Sequence, residues 1–183
     1  AREGMTGLEQ SLDTLKQSYP NSIMKVLPES TEGQAATALS GLSALQQVYP
    51  HSNSEPVTIA ACDNACIYSH NLLNELMIND EIDVLVWVKR GHATAIRYPE
   101  MFGWVASDMD SRVKEISVKR PLDDPSRDPI VTGTFTFKSA QQFRDSVDSM
   151  IERSSKINGE YYIDECINDA IAMGLRCYTF EVD

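Results

Sequence analysis

Apolar residues recur at helical spacing in five stretches of the chain. In residues 7–19, Leu8, Leu12 and Leu15 form one stripe with polar residues between them. The same spacing recurs in residues 34–48, in the stretch containing residues 72–77, and in residues 140–153 and 161–173. The pattern predicts five amphipathic helices, each with one face directed toward a core.

Shorter segments rich in β-branched and aromatic residues lie between these helices and are typical of strands. They are residues 23–27, 57–61, 82–88, 104–107, 113–118, 130–138 and 176–182. Residues 82–88 (IDVLVWV) are almost continuously apolar, as in a strand that is buried on both faces of a parallel sheet. Residues 108–111 (DMDS) favour a hairpin turn between two of the strands.

The order of the elements predicts an α/β protein. Helices and strands alternate over the first half of the chain, which favours a layered fold with right-handed crossovers. We expect three layers around a mixed, mostly parallel sheet, with antiparallel strands in the part of the chain after residue 90. No internal repeat and no long linker interrupts the 183 residues, so we expect one domain over residues 1–183.

Composition and charge narrow the classes of function. With 42% hydrophobic and 23% charged residues, the composition is that of a globular protein. The 16 basic and 27 acidic side chains give a formal net charge of −11, and the densest basic stretch is residues 114–120. Since nucleic acids and anionic membranes are bound through clustered basic residues, we expect neither as a partner.

The cysteines and the longest apolar runs bear on the cellular compartment. Cys62, Cys66, Cys166 and Cys177 include no C-x-x-C pair, which argues against a zinc ribbon and a disulfide framework. No apolar run approaches the roughly 18 residues of a membrane span, and the first residues do not resemble a signal peptide. We therefore expect a reduced, cytoplasmic protein.

Asp63 is the first candidate site residue, because it directly follows the predicted strand 57–61. In open α/β sheets, ligands bind beyond the carboxyl ends of the strands. A carboxylate there, together with substrate phosphates, suits Mg²⁺, which takes oxygen ligands. The alternative is that Asp63 caps the following helix or turns the chain.

Residues 31–35 (TEGQA) form a second candidate at the start of a predicted helix. Gly33 lets the backbone approach a flat ligand, and the Gln34 amide offers a donor and an acceptor to the edge of a base. The alternative is an ordinary helix start that is capped by Ser30 or Thr31.

Five segments resemble, in the same order along the chain, the motifs of the nucleotidyltransferases that join a nucleoside triphosphate to a sugar 1-phosphate or a similar phosphorylated substrate. They are residues 31–35 (base-recognition turn), 62–64 (CDN, metal-binding Asp), 119–122 (KRPL, the Glu-Lys-Pro segment), 131–137 (VTGTFTF, sugar-contacting strand) and 159–164 (GEYYID, the Gly-Glu helix start). The resemblance covers about residues 31–183. It implies a Rossmann-like, nucleotide-diphospho-sugar transferase-like fold.

The resemblance also implies residue roles. The acceptor phosphate would attack the α-phosphorus of the triphosphate in line, and pyrophosphate would leave. Asp63 would hold Mg²⁺, Gly33 and Gln34 would read the base, and Arg120 would contact the acceptor phosphate, so that Asp63 and Arg120 are the expected catalytic residues. The expected acceptor-binding residues are Lys119, Thr132, Gly133, Glu160 and Asp164.

The chain departs from the family pattern in two places. The Gly-rich loop that cradles the triphosphate is not found before residues 31–35, so we expect an N-terminally incomplete domain that is inactive by itself. Lys119 stands where the family usually has Glu, which leaves Arg120 in place of the usual Lys and implies a different acceptor. Asp183 lies near the place of the family's second metal carboxylate, but we do not assign that role to it.

Two alternatives belong to other functional classes. The first is a catalytically silent domain of the same fold that binds a nucleotide, a sugar or a partner protein. The second is a metal-dependent glycosyltransferase, in which Asp108 or Asp110 of a D-x-D segment would hold the metal; a solvated hairpin turn also explains that segment. Because an incomplete sheet exposes an edge strand, we also predict self-association.

Overall fold

The computed structural model describes Ala1 and residues 3–183. The helices in those residues are α1 (Leu8–Ser18), α2 (Gln34–Val48), α3 (His70–Ile78), α4 (Ala93–Arg97), α5 (Ala140–Glu152) and α6 (Ile163–Ala172). The strands are β1 (Val57–Ile59), β2 (Val84–Lys89), β3 (Gly103–Ser107), β4 (Val113–Val118), β5 (Ile130–Phe137) and β6 (Cys177–Glu181). Short 3₁₀ turns lie at Ser52–Ser54 and Pro99–Met101. The five predicted helices are confirmed, and α4 is an addition.

The six strands form one mixed sheet in the order β4-β3-β5-β2-β6, with β1 also paired to β5. Strands β2 and β6 are parallel, whereas the other four pairings are antiparallel. The predicted α/β fold with a mixed sheet is therefore confirmed, but the expected predominance of parallel pairs is wrong. The buried strand β2 has one parallel and one antiparallel neighbour, because an apolar run reports burial on both faces and not the direction of the adjacent strands.

The predicted strand 23–27 is also wrong. Two of its residues bond the start of the chain: the Leu27 N–H donates to the Ala1 carbonyl at 2.8 Å, the Glu3 N–H donates to the Leu27 carbonyl at 2.7 Å, and the N-terminal ammonium of Ala1 donates to the Lys25 carbonyl at 3.1 Å. Residues 23–26 have no regular secondary structure, because no strand of the described chain lies alongside them.

Helices cover both faces of the sheet, as the three-layer prediction requires. Successive side chains of β2 point to opposite faces, so that Val86 faces one side and Leu85 and Trp87 face the other. The larger core lies between the sheet and helices α2, α5 and α6, and it includes Leu42, Val84, Val86, Phe135, Phe143, Met150 and Ile167. The smaller core includes Leu85, Trp87 and Phe180 together with side chains of α3.

Residues 108–112 form the predicted turn between β3 and β4, and the Asp108 N–H donates to the Arg112 carbonyl at 3.0 Å. None of the described helices has both the length and the hydrophobicity that a membrane crossing needs.

Candidate functional site

Two adjoining cavities lie where α2 and α6 begin and where the chain leaves β1. The large cavity has a volume of about 600 Å³ and the small cavity about 160 Å³, and Gln34, Ala61, Asp63 and Gly133 line both. We call the two together the cleft. Eight of the nine predicted site residues line it, namely Gly33, Gln34, Asp63, Lys119, Thr132, Gly133, Glu160 and Asp164. Arg120 lines neither cavity.

Gly33 places the start of α2 against the backbone of Tyr161. The Ala35 N–H donates to the Tyr161 carbonyl at 3.0 Å, and the Tyr161 N–H donates to the Glu32 carbonyl at 2.9 Å. Gly33 has φ +132°, and a Cβ there would lie 2.6 Å from both the nitrogen and the oxygen of Tyr161. Only glycine permits this close approach. The expected cap, Ser30 or Thr31, does not occupy the N-cap position of α2, which is held by Gly33.

Asp63 lies four residues beyond the end of β1 and is exposed. Within the described residues its carboxylate makes no hydrogen bond and no ion pair. It does not cap the next helix, because Ser69 caps α3 by accepting a hydrogen bond from the Leu72 N–H. The helix-cap alternative is therefore wrong, and the carboxylate is free to contact a ligand at the junction of the two cavities.

The metal assigned to Asp63 stays a prediction. In the residues that the structure describes, no three His, Cys, Asp or Glu side chains are grouped to hold a metal ion. Mg²⁺ commonly binds through one or two carboxylates together with water and substrate phosphates. An Mg²⁺ ion at Asp63 would thus take most of its oxygen ligands from the nucleotide and from water.

The floor of the cleft is a break in the regular pairing of β5. The register between β2 and β5 shifts between Val86 and Val88, and Gly133 opposite this shift has φ +79°. A Cβ on Gly133 would lie 2.9 Å from the Cβ of Ala61, so glycine lets the chain after β1 pack on β5. The neighbouring Thr132 is buried, and its hydroxyl donates to the Trp87 carbonyl at 3.1 Å.

Lys119, and not Arg120, is the basic side chain of the small cavity. Its Nζ donates to the Met101 carbonyl at 2.5 Å and lies 5.4 Å from the centre of the Tyr162 ring. Lys119 has φ +60°, and this left-handed turn leaves the next side chain, Arg120, exposed outside the cleft. The structure therefore does not bring Arg120 to the predicted acceptor site.

Asp164 lies in the first turn of α6 and is partly buried. Burial raises the pKa of its carboxyl to about 6, although the Lys119 ammonium lowers the pKa in part. The carboxylate packs directly on Gly103, where a Cβ would overlap it. Sequence reasoning missed Gly103; the signal was a glycine within a strand, which often marks a close approach.

Glu160 lines the large cavity on the other side of the α6 start. Burial is the main reason why the pKa of Tyr162 is raised, and the nearby Glu160 carboxylate raises this pKa further. Four acidic side chains line the cleft, namely Glu29, Asp63, Glu160 and Asp164. Among the described residues, Lys119 is the only Lys or Arg side chain that lines it. The cleft is therefore acidic.

The D-x-D segment does not belong to the cleft. The Asp108 carboxylate accepts hydrogen bonds from the backbone N–H groups of Asp110 (3.1 Å) and Arg112 (2.9 Å) and lies 2.7 Å from the Lys114 Nζ. The hydrogen bond from Lys114 is the main reason why the pKa of Asp108 is lowered. Asp108 thus stabilises the hairpin turn, and the turn interpretation of this segment is confirmed.

Asp183 lies at a third cavity of about 200 Å³, which shares Asn64 and Thr132 with the small cavity. Its carboxylate forms an ion pair with the Lys89 Nζ at 3.1 Å.

Comparisons with known proteins bear on the fold. No protein-family model matches the chain, and no curated protein matches it in sequence. A nucleoside-diphosphate-sugar pyrophosphorylase from Vibrio cholerae RC9 matches in structure with a TM-score of 0.73 and 15% identity, over 98% of this chain and 70% of that one. A protein described as a glucose-1-phosphate thymidylyltransferase from Bacillus anthracis, in complex with sucrose, matches with a TM-score of 0.62 and 20% identity. This match covers 99% of this chain and 65% of that one.

The inositol-1-phosphate CTP transferase from T. maritima matches with a TM-score of 0.59 and 17% identity, over 98% of this chain and 63% of that one. The chain thus spans 63 to 70% of the length of these three structures. At such identities the matches establish a shared fold. The chain has the mixed α/β fold of nucleotide-sugar transferase-like structures.

Proposed function

We propose that the chain provides the nucleotide and acceptor sites of a nucleotidyltransferase, which transfers a nucleoside monophosphate from a nucleoside triphosphate to a sugar 1-phosphate or a similar phosphorylated acceptor. One observation carries the proposal: eight residues from five separate motifs meet at one cleft, and Asp63 lines both of its cavities. In this reaction the α-phosphate and the acceptor phosphate must meet, and the junction of the two cavities is where they would do so.

The chemistry of the lining supports a division of roles. In the large cavity, the amide of Gln34 beside the backbone of Gly33 offers a donor and an acceptor to a base. In the small cavity, the carboxylate of Asp164 is an acceptor for sugar hydroxyl groups, and Lys119 is a cation for the acceptor's phosphate. The names of the three structural neighbours, a pyrophosphorylase and two nucleotidyl transferases, support the same reaction class.

The acidity of the cleft implies a divalent cation. A triphosphate that enters beside Glu29, Asp63 and Glu160 is repelled unless positive charge is supplied locally. We propose that Asp63 would hold this cation as Mg²⁺, which when bound would supply positive charge to the triphosphate. The protein's own part is to hold the two phosphates in line and to exclude competing geometries.

Thermal shift titration with ATP, CTP, GTP, UTP and dTTP, each with and without Mg²⁺, tests the proposal. A ligand at 100 times its Kd stabilises by about 2.7 kcal/mol, which raises the Tm of a chain of this size by roughly 5–10 °C. We expect such a shift with one base and only with metal. Asp63→Ala should abolish the shift, while Asp110→Ala, an exposed carboxylate outside the cleft, should keep it. The proposal is contradicted if none of the five triphosphates shifts the Tm, or if the shift survives in Asp63→Ala.

The acidic cleft also favours a second candidate, a catalytically silent domain of the same fold that binds a nucleotide or a partner. One lysine side chain is little positive charge for a leaving pyrophosphate. Release of pyrophosphate on mixing the bound triphosphate with sugar 1-phosphates separates the two candidates. Release supports the enzyme, whereas metal-dependent binding without release supports the silent domain.

A further inference from the structure

The seven residues that carry Asp63 form a loop above the sheet. Residues 60–66 lie between the end of β1 and Ile67, and they contain no helix and no strand. Beyond the loop the chain is fixed again, because the Ile67 N–H donates to the Asp183 carbonyl at 3.0 Å and the Asp183 N–H donates to the Ile67 carbonyl at 2.9 Å. Asp63 therefore depends on contacts within this loop for its position.

Two contacts fasten loop 60–66 to β5, one on each side of Asp63. Before Asp63, Ala61 packs on Gly133, where a Cβ would come within 2.9 Å of the Ala61 Cβ. After Asp63, the side-chain amide of Asn64 donates to the Thr132 carbonyl at 2.8 Å. In the described part of the chain, no other side-chain hydrogen bond ties this loop to the sheet. The carboxylate lies between two fixed points but has no partner of its own.

The acceptor of the Asn64 hydrogen bond is rigid. Thr132 is 8% exposed, and its hydroxyl is bonded to the backbone of Trp87 in the adjacent strand β2. The amide of Asn64 therefore connects loop 60–66 to a buried residue of the sheet. A donor is required at this position, because the partner is a carbonyl oxygen that can only accept.

We propose that Asn64 is a positioning residue for Asp63: its amide holds loop 60–66 on β5, so that the Asp63 carboxylate is presented to a metal–nucleotide at the junction of the two cavities. This inference rests on the proposed function. Hydrogen bonds that orient a metal ligand from outside the coordination sphere commonly change metal affinity 10- to 100-fold when they are lost. Asn64 orients Asp63 indirectly: its amide binds the backbone carbonyl of Thr132 and so fixes the loop, and it does not bind the Asp63 carboxylate itself.

Two variants of Asn64 separate positioning from direct contact. Asn64→Ala removes the amide. Asn64→Asp keeps the size and shape but replaces the N–H₂ donor by an oxygen, which repels the Thr132 carbonyl. If Asn64 itself contacted the metal, the added carboxylate would strengthen Mn²⁺ binding; if it positions Asp63, both variants weaken that binding. Asn74→Ala is the matched control, since Asn74 is an exposed asparagine on α3, away from the cleft.

The experiment measures Mn²⁺ binding by electron paramagnetic resonance in the presence of each of ATP, CTP, GTP, UTP and dTTP. We expect the Kd of the Mn²⁺–nucleotide complex to rise about 10-fold or more in Asn64→Ala and Asn64→Asp, and to stay unchanged in Asn74→Ala. A second measurement needs no ligand: hydrogen exchange in the peptide covering residues 60–66 should be faster in both Asn64 variants, with exchange in β2 and β5 unchanged.

Tighter Mn²⁺ binding in Asn64→Asp, or unchanged binding or unchanged loop exchange in Asn64→Ala, would overturn the positioning role. These results are distinct from a failure of the proposed function, in which the unmodified protein itself binds no Mn²⁺–nucleotide complex. That last result would remove the proposed function and this inference together.

Discussion

Replacing Asp164 by asparagine should stabilise the protein at neutral pH. The carboxyl is partly buried against Gly103, and its pKa in the folded protein is about 6, compared with an ordinary value of 3.8. Each pKa unit corresponds to 1.36 kcal/mol, so a carboxylate that is ionised at pH 7 costs the fold about 3 kcal/mol. Asparagine has the same shape without the charge, and it should recover most of this free energy of unfolding.

The dependence on pH follows from the sign of the shift. The folded state holds the proton more tightly than the unfolded chain, so this group makes stability fall as the pH rises from about 4 to about 6. Below that window the carboxyl is protonated in both states and the cost is absent. Above it, the cost is constant. The stability advantage of Asp164→Asn should therefore be near zero at acid pH and reach its full size above pH 6.

Urea unfolding at pH 4, 5, 6, 7 and 8 measures this advantage for Asp164→Asn against the unmodified protein. Asp63→Asn is the control, because it neutralises an exposed carboxylate of the same cleft and should leave the free energy of unfolding nearly unchanged. A difference that does not depend on pH, or a variant that is less stable at pH 7, would refute the reasoning. Since Asp164 also lines the proposed acceptor site, the stabilised variant should bind the acceptor more weakly, as is common where a site stores unfavourable charge.

Two further predictions concern the contact between α5 and α6 and the start of α2. Arg153→Met should lower the free energy of unfolding by about 3 kcal/mol in a urea titration, because Asp169 is 3% exposed and would lose both hydrogen bonds (2.7 and 2.6 Å) from the guanidinium. Equal stability of this variant and the unmodified protein would contradict that account. Gly33→Ala should destabilise the protein and abolish the nucleotide-dependent thermal shift, because its Cβ would overlap the Tyr161 backbone. Gly41→Ala, where a Cβ meets nothing within 4 Å inside α2, should instead stabilise by about 0.5–1 kcal/mol, and a similar loss in both glycine variants would argue against the contact with Tyr161.

The sequence predicts where elements lie better than how strands pair. The apolar run at residues 82–88 correctly indicates a strand buried on both faces, and residues 84–88 are indeed buried. The direction of its neighbours is set by connections to distant segments, β5 and β6, which the run itself does not encode. Residues 23–27 have similar β propensity, yet they form no strand because none of the strands that the structure describes lies beside them. The β propensity of a residue reflects how well its side chain fits a half-buried sheet surface. A strand forms only where a neighbouring strand is there to pair with it.

The site shows a similar division. The motifs bring together residues that are far apart in sequence. The position after a predicted strand identified Asp63, and a glycine followed by a glutamine at a predicted helix start identified Gly33 and Gln34. What the sequence could not provide is the direction of individual side chains at a turn: both Lys119 and Arg120 were expected at the acceptor site, but the left-handed backbone at Lys119 leaves Arg120 outside the cleft. Burial of Asp164 depends on a glycine 61 positions earlier, and no local pattern connects the two.

The cleft exists because one edge of β5 is shared by two strands that do not meet. Strand β2 pairs along one edge of β5 from Ile130 to Phe137. On the other edge, β3 reaches only Ile130, while β1 covers Phe135 to Phe137. Between them, residues 131–134 present backbone groups that no strand of the described chain satisfies, and the Asn64 amide binds one of these groups, the Thr132 carbonyl. A gap in a sheet exposes hydrogen-bonding groups and lets a loop approach the strand, and Gly133 removes the one side chain that would prevent this. The interrupted edge is thus the structural reason that Asp63, Lys119 and Asp164 face a common space, since a continuous neighbour strand would occupy it.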